Sequence, residues 1–269
     1  MVKNKLALIT GASSGIGASF AKELAAQKHD LFITARRLDR LESLKKEIEQ
    51  KYNVLVHVFT ADLIDPDGVK QLLEELNKQH MKVDVLINNA GFGARVFILE
   101  KQPDDWDNII RVNVNSLVAL TMGILPSMVE RQSGKILNVS STGAFQPVPW
   151  LTVYAATKSF ILSFSEGLAV ELKDKNINVQ VTCLCPGPTR TEFHSLAEAD
   201  DIGFPNFAWM ESDQVVRAGL NALEKRERVC IPGVYNKLTL YSQRLVPRNI
   251  VTHLVGNMHK PKSFLAKKQ

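Results

Sequence analysis

Short apolar runs alternate along this chain with longer stretches of helical periodicity, and no other feature constrains its fold as strongly. Residues 6–9 precede a glycine-rich turn and a helical pattern that runs to Gln27. Residues 31–33 precede 38–51, where Leu38, Leu41, Leu44 and Ile48 recur at helical spacing. Residues 54–59 are followed by a helix from about Pro66, a residue suited to a first turn, to Gln79. Residues 83–87 lead into a long helical stretch from 103 to about 131, and 135–140 into a helix over 153–175. Residues 178–184 read as a strand, 212–225 as a helix with Ser212 or Asp213 near its cap, and 228–231 as a last strand. Such repetition predicts an α/β fold: a doubly wound parallel sheet of about seven strands, with right-handed crossover helices on both faces.

Composition agrees with a packed core. Of the 269 residues 45% are hydrophobic and 23% charged, an ordinary globular balance that needs no staples. Cys183 and Cys185, two apart on an expected strand, read with Cys230 as small buried hydrophobes rather than a disulfide framework. A reducing, cytoplasmic setting is expected. No leader peptide is read at the start, and no stretch approaches the roughly 20 apolar residues of a spanning helix.

The net charge of +5 is unevenly placed. Eight basic and no acidic residues lie between Arg228 and Gln269, which leaves 25 of the 33 basic residues against all 28 acidic ones. The body is therefore mildly acidic, and the high pI does not predict a nucleic-acid partner.

Two sites carry chemistry. The turn Thr10-Gly11-Ala12-Ser13-Ser14-Gly15-Ile16-Gly17 follows the first strand and opens the first helix. Glycines there allow a tight turn and close backbone approach, and the helix N-terminus offers free N–H groups to a phosphate. An NAD-preferring site places an acid about 20 residues on, at the end of the second strand. Here that place holds Arg36 and Arg37, whose guanidinium forks suit a 2′-phosphate and predict NADPH/NADP over NAD. Asp62, followed by Leu63, is read as an acceptor for an adenine amino group, as the cap of a turn before Pro66, or both.

The second site is the pair Tyr154 and Lys158, which share one helix face at i and i+4. A free tyrosine titrates near pH 10, and a neighbouring cation is expected to lower that value toward the range of a general acid. Alone the pair means little.

Taken together the motifs resemble the short-chain dehydrogenase/reductase family, in its subgroup of about 250-residue single-domain enzymes with a Rossmann-type sheet. They are T-G-x-x-x-G-x-G at 10–17, N-N-A-G at 88–91, a serine at Ser141, Y-x-x-x-K at 154–158 and Pro186-Gly187 after the sixth strand. The resemblance spans about residues 4–191. It implies an oxidoreductase that reduces a carbonyl with NADPH: Ser141 holds the carbonyl oxygen and Tyr154 protonates it. Ser140 stands as the adjacent alternative. Lys158 would tune the tyrosine and hold the nicotinamide ribose, and Asn113 would hold a relay water or distort its helix. Asn89 and Gly91 would shape the cofactor cleft, with Ala90, Pro186, Gly187 and Thr189 also contacting the cofactor and Thr191 near its carboxamide. Ser116 stands where many relatives carry a glycine, a minor departure. No metal is expected, and the six histidines read as surface or packing residues.

The substrate side is expected after Pro186. Phe193, Phe204, Phe207, Trp209 and Met210 suggest an apolar lid at about 190–211, with core packing as the competing reading. Trp150 and Leu151 are further pocket candidates. A bulky hydrophobic ketone or aldehyde fits that composition. Residues 1–232 would form the catalytic domain and 233–269 a basic extension. Ile250, Val251, Leu254, Val255 and Met258 give the extension a helical apolar pattern, for packing on the body or for weak contact with an anionic membrane surface. The apolar face Phe160, Ile161, Phe164 and Leu168 belongs to the core or to a homodimer or homotetramer interface. Two other functions compete: NAD-linked alcohol oxidation, and a non-catalytic nucleotide-sensing scaffold on the same fold.

Overall fold

A computed structural model describes residues 4–193, 197 and 202–261. Seven strands form one parallel sheet: β1 (Leu6–Thr10), β2 (Asp30–Ala35), β3 (Val56–Thr60), β4 (Val83–Asn88), β5 (Gly134–Val139), β6 (Val179–Leu184) and, from further along the chain, β9 (Val229–Cys230). Their spatial order is β3-β2-β1-β4-β5-β6-β9, so the winding reverses between β1 and β4. A crevice forms at the carboxyl ends of strands at such a reversal. Thr189–Arg190 (β7) and Met210–Glu211 (β8) form a small separate parallel pair.

Side-chain alternation sorts the strands onto two cores. Ala7 and Ile9 of β1 pack on one face with α1 (Gly15–Ala26), α2 (Leu38–Tyr52) and α7 (Ser212–Glu224), through Phe20, Leu24, Leu41, Ile48, Val215 and Leu220. Leu6 and Leu8 pack on the other with α3 (Pro66–Lys78), α5 (Ser116–Glu130) and α6 (Thr152–Asp174), through Leu72, Leu76, Leu120, Ile124 and Leu172. The doubly wound Rossmann-type sheet expected from the sequence is the one observed.

Three expectations are corrected. The stretch from 103 to 131 is not uniform: α4 (Pro103–Ile110) and α5 are joined by a π-helical turn, Arg111–Asn115. The whole stretch, Pro103–Glu130, is long and apolar enough to span a bilayer, with a mean hydropathy of 1.5 in its best window. Leu117, Leu120, Ile124 and Met128 are buried within the protein, which accounts for that hydropathy as core. The cap of α7 is Glu211, in a reciprocal pair with Gln214, because the Ser212 hydroxyl bonds Ser19 of α1 at 2.7 Å.

The basic extension forms two helices, α8 (Val234–Ser242) and α9 (Arg248–His259), of which sequence periodicity revealed only the second. Val251 is buried, and Val255 packs on the cluster of Val148, Leu151 and Ala155, so α9 lies on the body. Lys262, Lys267 and Lys268 lie outside the described residues, as do 194–196 and 198–201 of the expected lid.

Candidate active site

A cavity of about 450 Å³ opens at the carboxyl ends of the strands. One end is the turn between β1 and α1. Gly17 lies so close to Gly11 that an added Cβ would run into the Gly11 carbonyl and stand 2.6 Å from Asn89 Nδ2. Asn89 closes the turn by donating to Thr10 O at 2.9 Å, while the Thr10 hydroxyl accepts from the Asn89 and Ala90 amides at 3.0 Å. Ser14 makes no side-chain cap to α1, and no acid stands in the first turn, so the amides of this helix start are left for a ligand in the cavity.

At the rim beside this turn, Arg37 donates from Nη2 to the hydroxyls of Ser13 at 3.0 Å and Ser14 at 2.8 Å. Its Nη1 meets Glu192 at 3.1 Å, and Arg40 meets the same carboxylate at 2.6 Å. The bonds from Arg40 and then Arg37 hold Glu192 below the usual carboxylate range. Arg36 is exposed at the cavity edge. Asp62 caps the next turn, accepting from Ile64 N at 3.0 Å, and with Leu63 also lines the cavity. Both readings of Asp62 are therefore compatible with its position.

The other end gathers Ser141, Tyr154 and Lys158. Ser140, the alternative serine, donates to the Lys158 carbonyl at 2.7 Å and is buried, a structural use of its hydroxyl. The Ser141 hydroxyl accepts from Gly143 N at 3.0 Å and lies near enough to the Tyr154 phenol to favour its ionised form. Lys158 is buried, 5.5 Å from the centre of the tyrosine ring, and donates to the Val139 carbonyl at 2.9 Å.

The expected lowering of the phenol does not occur in this geometry. Burial pushes Tyr154 up to about 12, with the Ser141 hydroxyl opposing. Burial also pulls the Lys158 ammonium down to about 8, so the cation pays the same desolvation as its partner.

Asn113 lies behind the cavity wall rather than on it. Its amide donates to Phe92 O at 3.0 Å and Thr157 Oγ1 at 2.9 Å and accepts from Phe92 N at 3.0 Å. Both amide hydrogens are spent, so the side chain ties the π turn to α6 and to the loop after β4. Gly91 fits against this junction: a Cβ there would stand 3.0 Å from Asn113 Oδ1 and 3.2 Å from Lys158 Nζ. The remaining predicted residues, Gly15, Ile16, Ala90, Pro186, Gly187, Thr189 and Thr191, all line the cavity.

The substrate end is less as expected. Phe193 lies 5.2 Å from the Tyr154 ring, and Phe204 and Leu151 also line the wall. Trp150 does not: it pairs with Phe97 at 6.4 Å, away from the cavity. Phe207 meets Tyr235 edge-on and is largely exposed, and Trp209 meets Phe204 edge-on; neither Phe207 nor Trp209 nor Met210 lines the cavity. Among the described residues, no group of three His, Cys, Asp or Glu stands together as a metal site. Sequence reading missed Phe92, Gly93, Gln146 and His259 on the wall. Gly93 carried a faint signal, since it extends the glycine pattern after Asn88; a Cβ there would meet the Tyr154 ring at 2.8 Å.

This arrangement defines a class: a nucleotide-sized crevice with an anion cradle at one end and a serine, phenol and ammonium at the other. The short chain dehydrogenase profile matches residues 5–201, and the chain belongs to that family of oxidoreductases. Among its relatives, the NADP-dependent 3-hydroxy acid dehydrogenase of Schizosaccharomyces pombe is 35% identical, covering 84% of this chain and 90% of its own. The very-long-chain 3-oxoacyl-CoA reductase of Anas platyrhynchos is 30% identical, covering 97% of this chain and 83% of its own. A short-chain dehydrogenase from Sphingobium yanoikuyae, solved with NADPH, superposes with a TM-score of 0.79 at 32% identity, covering 90% of this chain and 94% of that one. The bulky-bulky ketone specific alcohol dehydrogenase of Comamonas testosteroni gives 0.76 at 29% identity, covering 91% and 94%.

Proposed function

We propose that this enzyme reduces a bulky ketone or aldehyde to the alcohol with NADPH, with Tyr154 as general acid. The observation that carries the reading is one continuous cavity holding Arg36 and Arg37 at one end and Ser141, Tyr154 and Lys158 at the other. The cofactor fits the residues present. The uncapped start of α1, the missing side chains at Gly11 and Gly17, and Ser13 and Ser14 suit a pyrophosphate. Arg36 and Arg37 suit a 2′-phosphate, which would displace Glu192 from Arg37. Relatives solved with NADPH or named NADP-dependent support the same choice.

When bound, the reduced nicotinamide supplies the hydride. The chain's own part is positioning and proton supply. Ser141 donates to the carbonyl oxygen and polarises it. Tyr154, held protonated by burial, delivers its proton as negative charge gathers on that oxygen. An alkoxide is a far stronger base than a phenolate, so a phenol near 12 still gives up its proton readily. Lys158 then faces the phenolate and offsets its charge. The oxidative direction would need Tyr154 ionised at the outset, which its burial opposes. Asn113 positions rather than reacts, since both of its amide hydrogens are donated within the protein.

The proposal extends to the setting. Phe160, Val170 and Met122 are exposed on α6 and α5 and suit a homodimer or homotetramer interface. Ile250, Leu254 and Met258 form an exposed row on α9, beside Arg248 and Lys260, which suits weak contact with an anionic membrane surface. Three free buried cysteines suit a reducing cytoplasm. The central test is NADPH oxidation across a panel of ketones and aldehydes, with NADH in parallel. Turnover with NADPH at a higher kcat/KM than with NADH is expected. No turnover of any carbonyl compound, with NADP-dependent oxidation of alcohols or none at all, would overturn the reading.

A further inference from the structure

The substrate end of the cavity has a wall that the family profile does not reach, because the profile ends at residue 201 and this wall comes from α9. The helix is seated closely. Gly256 faces Pro149, where an added Cβ would stand 3.0 Å from the proline ring, and Val255 packs on Val148 and Leu151. Its last turn is tied down by Arg95, which is only 2% exposed and donates from Nε to the His259 carbonyl at 2.8 Å. The Arg95 backbone amide in turn donates to Ala197 O at 3.1 Å, which links the helix end to the lid.

This seating brings His259 onto the cavity wall with 9% of its surface exposed and its ring edge-on to Phe204 at 5.8 Å. Its Nδ1 lies 2.9 Å from the Val255 carbonyl. A carbonyl only accepts, so Nδ1 carries the hydrogen and the neutral ring presents Nε2 as an acceptor. Burial, with the Arg95 charge adding, pulls the imidazole below its ordinary value and keeps it neutral at pH 7; the Val255 bond opposes this. Nε2 has no hydrogen-bond partner among the described residues. On the same wall, two residues before Val148, Gln146 holds its amide oxygen buried without a partner. Unpaired buried polar groups cost stability unless something satisfies them. Among the described residues, the apolar side chains that share this cavity, Val148, Leu151, Phe193, Ile202 and Phe204, carry no donor.

We propose that His259 and Gln146 form a polar subsite that accepts a hydrogen-bond donor, a hydroxyl or an amide N–H, on the part of the substrate remote from its carbonyl. This rests on the carbonyl-reductase reading and narrows it: the substrate is bulky and largely apolar, yet carries a donor several bonds from the reacting carbon. The extension beyond residue 232 then determines specificity as well as covering the fold.

Paired aryl alkyl ketones that differ only in a terminal hydroxyl against a methoxy group test the subsite. Affinity is read by calorimetry in Tyr154→Phe protein saturated with NADP, so that binding is measured without turnover; kcat/KM is read in otherwise wild-type protein. The hydroxyl ketone is expected to bind at least ~10-fold more tightly, the ordinary effect of one satisfied buried group. His259→Phe should collapse that ratio toward one, and His259→Gln, which keeps an acceptor, should restore part of it. Gln146→Leu should lower the ratio in a protein that melts no lower than wild type, since it removes an unpartnered buried oxygen. Equal binding of the two ketones, or a ratio that survives both His259→Phe and Gln146→Leu, overturns the subsite. Preferred binding of the hydroxyl ketone without any NADPH-dependent reduction would leave the subsite standing and overturn the reductase reading instead.

Discussion

Lys158 donates to the Val139 carbonyl at 2.9 Å, which anchors the ammonium at the end of β5, immediately before Ser140 and Ser141. The bond fixes where the cation sits, but burial sets how strongly it holds its proton, near pH 8 rather than 10.5. The free-enzyme profile of kcat/KM for reduction should therefore fall above about pH 8 as Lys158 loses its charge, while Tyr154, near 12, stays protonated throughout. Lys158→Arg, charged at every accessible pH, should lack this limb if any activity remains. Stability should move the opposite way. The folded value lies below the unfolded one, so the cost of burying the charge is full below pH 8. It is relieved as pH rises from about 8 to 10.5. Thermal melts of wild type against Lys158→Met across that range check the sign, since only wild type should gain.

Tyr154→Phe removes the proton donor and little else, because the ring contact with Phe193 at 5.2 Å survives. A loss of roughly 10²–10⁴ in kcat is expected, with NADPH affinity by fluorescence titration nearly unchanged. A variant that keeps a tenth of wild-type kcat would remove Tyr154 from the mechanism.

Arg37 is shared between the hydroxyls of Ser13 and Ser14 and the carboxylate of Glu192. Arg37→Ala should raise the KM for NADPH about 10- to 100-fold, the range of a lost charge-assisted contact, and leave that for NADH nearly alone. Glu192→Gln should do the reverse and tighten NADPH, since it frees Arg37 for the phosphate. Steady-state kinetics with both cofactors decide between these outcomes and an NAD-preferring site.

Gly17→Ala would put a methyl group against the Gly11 carbonyl and 2.6 Å from Asn89 Nδ2. Neither neighbour can give way without opening the turn, so a destabilisation of about 1–3 kcal/mol is expected together with loss of NADPH binding. Chemical denaturation and cofactor titration on the same preparation measure both. A protein of wild-type stability that still bound NADPH would mean that the turn is looser than its spacing implies.

The outer row of α9 is testable separately from its inner face. Replacing Ile250, Leu254 and Met258, all exposed, with serine should spare the buried contacts of Val251 and Val255. Co-sedimentation of wild type with vesicles containing phosphatidylserine should exceed that of the triple variant and weaken with salt. Equal partitioning of the two proteins would sink the membrane contact.

Much of the fold was legible because local patterns and tertiary packing agree. Leu38, Leu41, Leu44 and Ile48 announced α2, and all but Leu38 are buried there. The candidate catalytic cluster was legible for another reason: Ser141, Tyr154 and Lys158 sit on one strand end and one helix, at spacings that the backbone itself enforces. Gln146 and His259 carried no such signal. Nothing in their neighbours in sequence marks them, because their place on the wall depends on how α9 docks against the loop before α6.

By itself the sequence determined the parallel sheet, the anion cradle after β1 and the identity of the groups that can move a proton. Periodicity and turn chemistry act over a few residues and survive without the rest of the chain. Tertiary structure alone decided the proton affinities of Tyr154 and Lys158, because burial is a property of the packed whole. It assigned Asn113 to holding the π turn against α6, and it brought Arg95 beneath the end of α9 so that His259 reaches the cavity. The last of these depends on surfaces meeting across 164 positions of sequence between Arg95 and His259, a distance that no local pattern encodes.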